Sequence, residues 1–243
     1  MKIAICLYGH HRSFSRAIES WIPFYTEYNP DVFIHTWDTI GFKTADTRPD
    51  LDASPYVRGA ISDDATPVTM GSFDQISKWT KNIVIESYED RYTDFVQMAS
   101  VIHEYQQTVS VHHSINVHSK YAQAYTSFQA HQLSSIDTYD IIISTRPDAK
   151  LTSYTDFFDI GSNTLYSDLY QPNLIYGLVR YGTQDVMNKT LNFYNDYLSV
   201  FETGKTTNRP ELCFDVHPMV SYYTLEHNNF LLTDAKIRAA ILR

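Results

Sequence analysis

Glycine is scarce in this 243-residue chain, with 8 residues, and cysteine is scarcer, with Cys6 and Cys213 alone. Two cysteines so far apart, with no C-x-x-C and no Cys/His zinc spacing, argue against a disulfide scaffold and a structural zinc site. They read as reduced structural thiols, Cys6 inside a buried strand, and the expected compartment is the cytoplasm. No apolar stretch reaches the about 18 residues of a membrane span, and the run Ile3–Tyr8 is too short for a signal peptide. The expectation is a soluble protein, neither secreted nor membrane-spanning. Runs of Lys and Arg are missing as well. With 19 basic residues against 28 acidic, a net charge of −9 and a pI of about 5.5, the chain meets any polyanion against an unfavourable field, which disfavours nucleic acid. No P-loop, G-x-G-x-x-G, G-x-S-x-G or H-E-x-x-H occurs, and no cysteine has a local histidine partner, so a hydrolase reading has little to stand on.

What the chain does have is apolar and aromatic material. It is 43% hydrophobic and 19% charged, ordinary for a globular protein, and long enough to bury a core without staples. Tyrosine is heavily used, with 19 residues. An apolar ring with a hydroxyl handle suits both cores and sites that stack on sugars or bases; a biased composition explains the number equally well.

The pattern along the chain reads as α/β. IAICLY (3–8) is a short apolar run ending at Gly9, a central buried strand. Phe14, Ile18, Trp21, Ile22, Tyr25 and Tyr28 fall at helical spacing until Asn29-Pro30 stops them, and DVFIHTWD (31–38) follows as a second strand. Strand–helix–strand opens a mainly parallel sheet flanked by helices. Residues 39–80 show no clear period and are expected to form an irregular loop or lid. A third strand is expected over 82–88, helices over 92–107 and 117–135, and the clearest strand over 139–151. Further strands are expected at 164–170 and 174–182, and a helix over 183–201. The last part, 211–243, reads as one or two helices and a strand, NNFLLTD. No linker or repeat interrupts residues 1–243, so one domain is expected.

Ligands of open α/β sheets bind beyond the carboxyl ends of the strands. Three segments put polar residues there. Gly9-His10-His11-Arg12 follows the first strand: glycine lets backbone approach a ligand, and Arg12 at a helix start favours phosphate; Gly9 as a plain turn is the alternative. Asp38, ending the second strand, either accepts from a base or ribose or caps the next segment. Thr145-Arg146-Pro147-Asp148 follows the strongest strand. There a carboxylate can hold a Mg²⁺ or Mn²⁺ ion on a diphosphate, and an adjacent arginine can do the same work, so Asp148 is the candidate metal ligand and Arg146 its partner. A surface ion pair after Pro147 is the alternative. His112, His113 and His118 lack a carboxylate or cysteine at ligand spacing and are left as solvent or packing residues.

At these residues the chain resembles a family of small GT-A-like glycosyltransferases of bacteria and large DNA viruses, phages included. The resemblance lies in Gly9–Phe14 (G-x-x-R-S-F), Asp31–Trp37 (D-V-F-I-H-T-W) and Tyr139–Asp148 (Y-D, then R-x-D), in that order. The last is similar to the metal-binding D-x-D of GT-A enzymes, with Arg146 in place of the first Asp, a departure that bears on the metal more than on the nucleotide sugar. Tyr181-Gly182-Thr183 with Met187, and His217-Pro218-Met219, resemble two further family segments; Met219 stands where an acid is usual, leaving Asp215, Glu211 or His217 as candidate catalytic bases.

The resemblance implies a Rossmann-like GT-A fold and transfer of a sugar from a nucleotide-sugar donor to an acceptor hydroxyl, on a glycan or a modified DNA base. Gly9, His10, His11, Arg12, Asp38 and Arg146 would face the donor, and Asp148 would hold Mn²⁺ or Mg²⁺. The alternative is a nucleotide- or sugar-binding module without turnover.

Overall fold

The computed structural model describes residues 1–41, 65–108, 117–155, 157–168, 178–209, 211–214 and 216–241. Its centre is four parallel strands, β1 (Ile3–Tyr8), β2 (Asp31–Trp37), β3 (Thr80–Glu86) and β4 (Ile141–Thr145), in the order β3-β2-β1-β4. Beyond β4 the sheet continues through β7 (Val179–Gly182), β6 (Thr164–Ser167) and β8 (Leu231–Asp234). Only β7 runs against its neighbours; β6 and β8 are parallel to each other. A separate two-stranded sheet pairs β5 (Ala149–Tyr154) with β9 (Ile237–Ile241), antiparallel.

Every residue of β1 is buried, because the sheet is covered on both faces. Side chains alternate across it. Ala4, Cys6 and Tyr8 join one core, Ile3, Ile5 and Leu7 the other. Against the second lie α1 (Phe14–Ala17), a 3₁₀ turn (Ile18–Ser20) and α2 (Ile22–Tyr28), through Phe14, Ile18, Trp21, Phe24 and Tyr25. Against the first lie α3 (Tyr88–Thr108), α4 (Val117–Ser134), α5 (Gln184–Leu191) and α6 (Phe193–Thr206). Burial pushes the Cys6 thiol up to about 12, so it stays protonated and inert.

The connection from β1 to β2 thus crosses one face and that from β3 to β4 the other. The chain leaves β1 in one direction and returns beside it from the other, so the ends of β1 and β4 splay their following loops apart. This is the topological switch point, where open α/β sheets leave a crevice.

Several boundaries differ from expectation. The helix expected over 13–28 is three short pieces, because Pro23 near the start of α2 has no N–H for the carbonyl four residues back. The strand expected over 139–151 is two, β4 and β5 in different sheets, broken by the turn at Pro147-Asp148. The helix expected over 183–201 is α5 and α6, separated at Asn192, whose side chain bonds Asp196 and Asn195 instead of extending a helical face. Within 39–80, residues 42–64 lie outside the described part; Thr39 bridges Pro67, and Met70–Ile76 is a 3₁₀ helix that buries Phe73 and Ile76. The C-terminal part holds α7 (Glu211–Phe214), α8 (Val216–Tyr222), a π-helical turn and the expected strand β8, plus the unforeseen β9. Among the described residues no helix is long and apolar enough to cross a membrane.

Candidate functional site

The switch point carries the turn after β1 and the turn after β4. Gly9, with φ of +99°, turns the chain out of β1, and open space surrounds the place where a side chain would begin. Thr36 donates to its carbonyl at 2.8 Å. Arg12, at φ +43°, is a non-glycine residue in the left-handed region, held by its N–H to the Ile40 carbonyl at 2.9 Å. That backbone turn aims Arg12 across the gap.

On the other side of the gap, the guanidinium of Arg146 forks onto Asp148. Nε donates to Oδ1 at 2.9 Å and Nη2 to Oδ2 at 2.6 Å. Arg12 Nη1 adds a longer contact to Oδ2, 3.4 Å. The Asp148 side chain is 2% exposed, against 34% for Arg12 and 20% for Arg146. A carboxylate this buried needs its charge matched, and the fork supplies the match. Two guanidiniums against one carboxylate leave one positive charge at the strand ends, in a chain of formal charge −9. Burial lowers the Arg12 pKa from its ordinary value, and Arg146 lowers it further while Asp148 opposes both.

His10, within the field of this cluster, packs beside the rings of Trp37 (6.2 Å) and Tyr88 (5.5 Å), which are themselves in contact at 4.9 Å. Burial first, then the field of Arg12, push its pKa down to about 4, so it is neutral at physiological pH. A neutral imidazole beside two arginines can donate to or accept from a ligand without adding charge.

The other expected donor residues go elsewhere. The structure gives His11 to the core: its ring packs on Phe14 at 5.0 Å and Phe73 at 5.2 Å, and Nε2 reaches the Ser72 carbonyl at 3.3 Å. Asp38 accepts at Oδ1 from the Tyr88 N–H that opens α3, at 3.4 Å, so it caps a helix 50 residues on and not the segment that follows it; its own N–H and carbonyl bond Glu86 and Val68. The helix after Arg12 is only four residues long, so the phosphate expectation rests on the guanidinium and not on a helix dipole. Asp215 and the side chains of Glu211 and His217 lie outside the described residues, as do His112, His113 and the side chain of His118.

Asp148 does not fit the role of a Mn²⁺ or Mg²⁺ ligand in this arrangement. A hard cation needs free carboxylate lone pairs and several oxygen donors, whereas both Asp148 oxygens accept from arginine. Among the described residues no group of three or more His, Cys, Asp and Glu side chains is placed to hold a metal.

Next to the site is a network that the sequence reading passed over. Glu86, ending β3, accepts from Arg91 Nε at 2.5 Å and from the Tyr125 hydroxyl at 3.1 and 2.8 Å, and its Oε2 is 3.1 Å from His35 Nε2. Burial pushes the Glu86 carboxyl up, and the hydrogen bonds from Arg91 and Tyr125 more than reverse it, leaving it below its ordinary value. Burial outweighs Glu86 at His35 and lowers it, so the pair is a neutral imidazole on a carboxylate. The polar His-Thr inside an otherwise apolar strand was the available signal. Trp37 stacks on Tyr125 at 6.1 Å and 18°, so the network fixes one wall of the His10 cage.

Compared with protein-family models and with curated proteins, the chain matches none.

Proposed function

We propose that the chain is a GT-A-like glycosyltransferase that holds the diphosphate of a nucleotide sugar between the ends of β1 and β4. The observation that carries the reading is the convergence of Arg12 and Arg146 on one buried carboxylate, with a surplus positive charge at the switch point. The sequence resemblance at Gly9–Phe14, Asp31–Trp37 and Tyr139–Asp148 supplies the sugar chemistry, and it falls on the three strand ends that build this edge. The mainly parallel sheet with helices on both faces is the Rossmann-like frame that a GT-A-like reading needs.

In the proposed reaction an acceptor hydroxyl, on a glycan or a modified DNA base, forms a bond to the anomeric carbon of the donor sugar. The bond from that carbon to the diphosphate oxygen breaks, and the electron pair stays on the diphosphate. Arg12 and Arg146 stabilise that charge in place of a metal. His10 donates a hydrogen bond at the same edge. Gly9, with no side chain over open space, lets the ligand approach the backbone. Inversion would need a carboxylate or imidazole to take the hydroxyl proton, the role proposed for Asp215, Glu211 or His217.

The test is a thermal-shift titration with nucleoside diphosphates and their sugars, with and without Mn²⁺, on the native protein and on Arg146→Met. Stabilisation by one nucleotide without metal, weakened about 10–100-fold in the variant, is expected from the loss of a charge-assisted hydrogen bond. Strict dependence on Mn²⁺ would return the diphosphate to a metal, and no response to any nucleotide would sink the reading. Tight binding with no sugar transferred to any acceptor would leave the binding module in its place.

A further inference from the structure

A second arginine environment lies on the same edge, one strand further on. Arg180 occupies β7, directly opposite Ser144 of β4 on one side and Ser167 of β6 on the other. Residues directly opposite in antiparallel strands share a face, so the guanidinium lies over the α4 side of the sheet, flanked by two serines that are fully buried. Its Nη2 donates to the Tyr8 hydroxyl at 3.4 Å and to Ser127 Oγ at 3.3 Å, the latter on α4 and 3.3 Å from Ser144 Oγ. The Arg180 guanidinium also lies over the Tyr8 ring, 5.9 Å from its centre.

What this cluster lacks is an acceptor with charge. Among the described residues no carboxylate is within ion-pair distance of Arg180, and residues 169–177, which lead into β7, contain no Asp or Glu. Two buried polar atoms at this one spot have no hydrogen-bond partner, Arg180 Nε and Ser167 Oγ. Buried polar atoms are almost always satisfied. These two belong to directly paired residues, and the cation's described polar partners are neutral hydroxyls at 3.3–3.4 Å, so the cluster holds unused donors suited to an oxyanion. The contrast with Arg146 is direct, since that guanidinium is forked onto Asp148 and has its charge matched.

We propose that Arg180, with the hydroxyls of Tyr8, Ser127 and Ser167, is a second oxyanion-binding position, for a carboxylate or phosphate group. Neighbouring strands are about 5 Å apart, so β7 lies roughly 10 Å from β1, two strands away, and the bound group sits beside the Arg12–Asp148–Arg146 cluster without sharing its arginines. Arg180 supplies the charge and the orphaned Nε–H, while Nη2 holds Tyr8 and Ser127. Tyr8 accepts from Arg180 and keeps its own O–H to donate. Which substrate carries the oxyanion rests on the proposed function: it belongs to the transferred sugar or to the acceptor, as an acidic sugar or a phosphorylated one. That an oxyanion binds here does not rest on it.

The experiment uses the full chain with inorganic phosphate and glucuronate as probes. Calorimetric titration is combined with ¹⁵N NMR of arginine Nε–H groups, the Arg180 signal being identified by its loss in Arg180→Lys. The Arg180 Nε–H signal is expected to move and saturate with one or both probes. Arg180→Met is expected to weaken that binding at least tenfold, and Tyr8→Phe about three- to tenfold, while Arg12→Met leaves it unchanged. Tighter glucuronate marks a carboxylate-bearing sugar, and tighter phosphate marks a phosphorylated one. If Arg180→Met does not fold, Tyr8→Phe and Ser127→Ala carry the test. A signal that stays put, or titrations unaltered in all these variants, overturns the proposal. A nucleoside diphosphate titration on the same sample separates the two readings. Nucleotide binding without a response at Arg180 defeats this inference alone, and a response at Arg180 without nucleotide binding defeats the proposed function alone.

Discussion

Arg12 and Asp148 are 136 residues apart in the chain and meet at 3.4 Å, across the gap between the ends of β1 and β4. Neither residue could be brought there by local structure. The meeting depends on β1 and β4 being paired in register, Leu7 beside Thr145, so that each loop leaves the sheet at the same level. The site is therefore as well defined as the sheet beneath it.

Removing Arg146 leaves the Asp148 carboxylate buried, with the 3.4 Å contact to Arg12 as its remaining ion pair among the described residues. Breaking a buried pair from one side costs roughly 3–5 kcal/mol; because Arg12 remains, Arg146→Met is expected near the lower figure. Arg146→Met with Asp148→Asn should recover most of the loss. Urea denaturation of the single and double variants checks both numbers.

Gly9→Ala is expected to fold and to lose about 1–3 kcal/mol, because φ of +99° is strained for any residue with a side chain. Nothing lies within 4 Å of the added carbon, so the cost is backbone strain alone. An unbranched residue should therefore cost little more than alanine and a β-branched one clearly more, because positive φ is hardest on β-branched side chains, which a comparison of Gly9→Ala, Gly9→Ser and Gly9→Val by thermal denaturation resolves.

The His10 pKa is about 4 in the folded protein, below the ordinary 6.5. Between those values the unfolded chain binds more protons than the folded one, so stability rises with pH across this window. The contribution is complete above 6.5 and is lost as pH falls toward 4. His11, His35 and His131 are lowered as well, by burial, and slope the same way. His10→Gln is expected to flatten the pH dependence between 4 and 6.5 in part, leaving the remainder to the other three. Denaturation midpoints at a series of pH values give the slope, and an unchanged slope in the variant would show His10 to be solvated.

The Trp21 indole N–H donates to the Ala149 carbonyl at 2.7 Å, one residue past Asp148, and both ends are buried. Trp21→Phe takes that hydrogen bond from a buried carbonyl, at about 1–3 kcal/mol. The same substitution should weaken nucleotide binding modestly, since it loosens the turn that presents Asp148 and Arg146. A variant that loses stability but binds nucleotide as before would show the turn to be held by β5 alone.

Much of the frame could be read from the residues. β1 and the Ile141–Ile143 run are apolar on both faces, β2 is so apart from Asp31 and the His35-Thr36 pair, and the helices expected over 92–107 and 117–135 stand at 88–108 and 117–134. What escaped was whatever depends on partners far along the chain. Asp38 caps a helix that begins 50 residues later, so as a sequence feature it looked equally like a ligand. Arg146 and Asp148 were placed at a strand end, as donor and metal residues with a surface ion pair as the alternative; the sequence does not say that the two form a buried pair that satisfies the carboxylate before any ligand arrives. IRAAI, the whole of β9, carries two alanines and no period, and becomes a strand only because β5 offers it an edge. Arg180 was invisible for the same reason, being defined by serines from three other elements.

The small β5–β9 sheet has a consequence for the order in which a newly made chain acquires its parts. Ala149, the residue after Asp148, is paired with Ile241, and Leu151 with Ala239. Domains form from the N-terminal side as synthesis proceeds, and β1 to β4 are all in hand once Thr145 has been made. The far side of the turn has Trp21 and Ser20 to hold Ala149 and Leu151 from the start, and it gains its strand partner only with residues 237–241. A ribosome-bound chain stopped short of β9 would hold the parallel sheet and present Arg146 and Asp148 on a turn tied to the helical side alone.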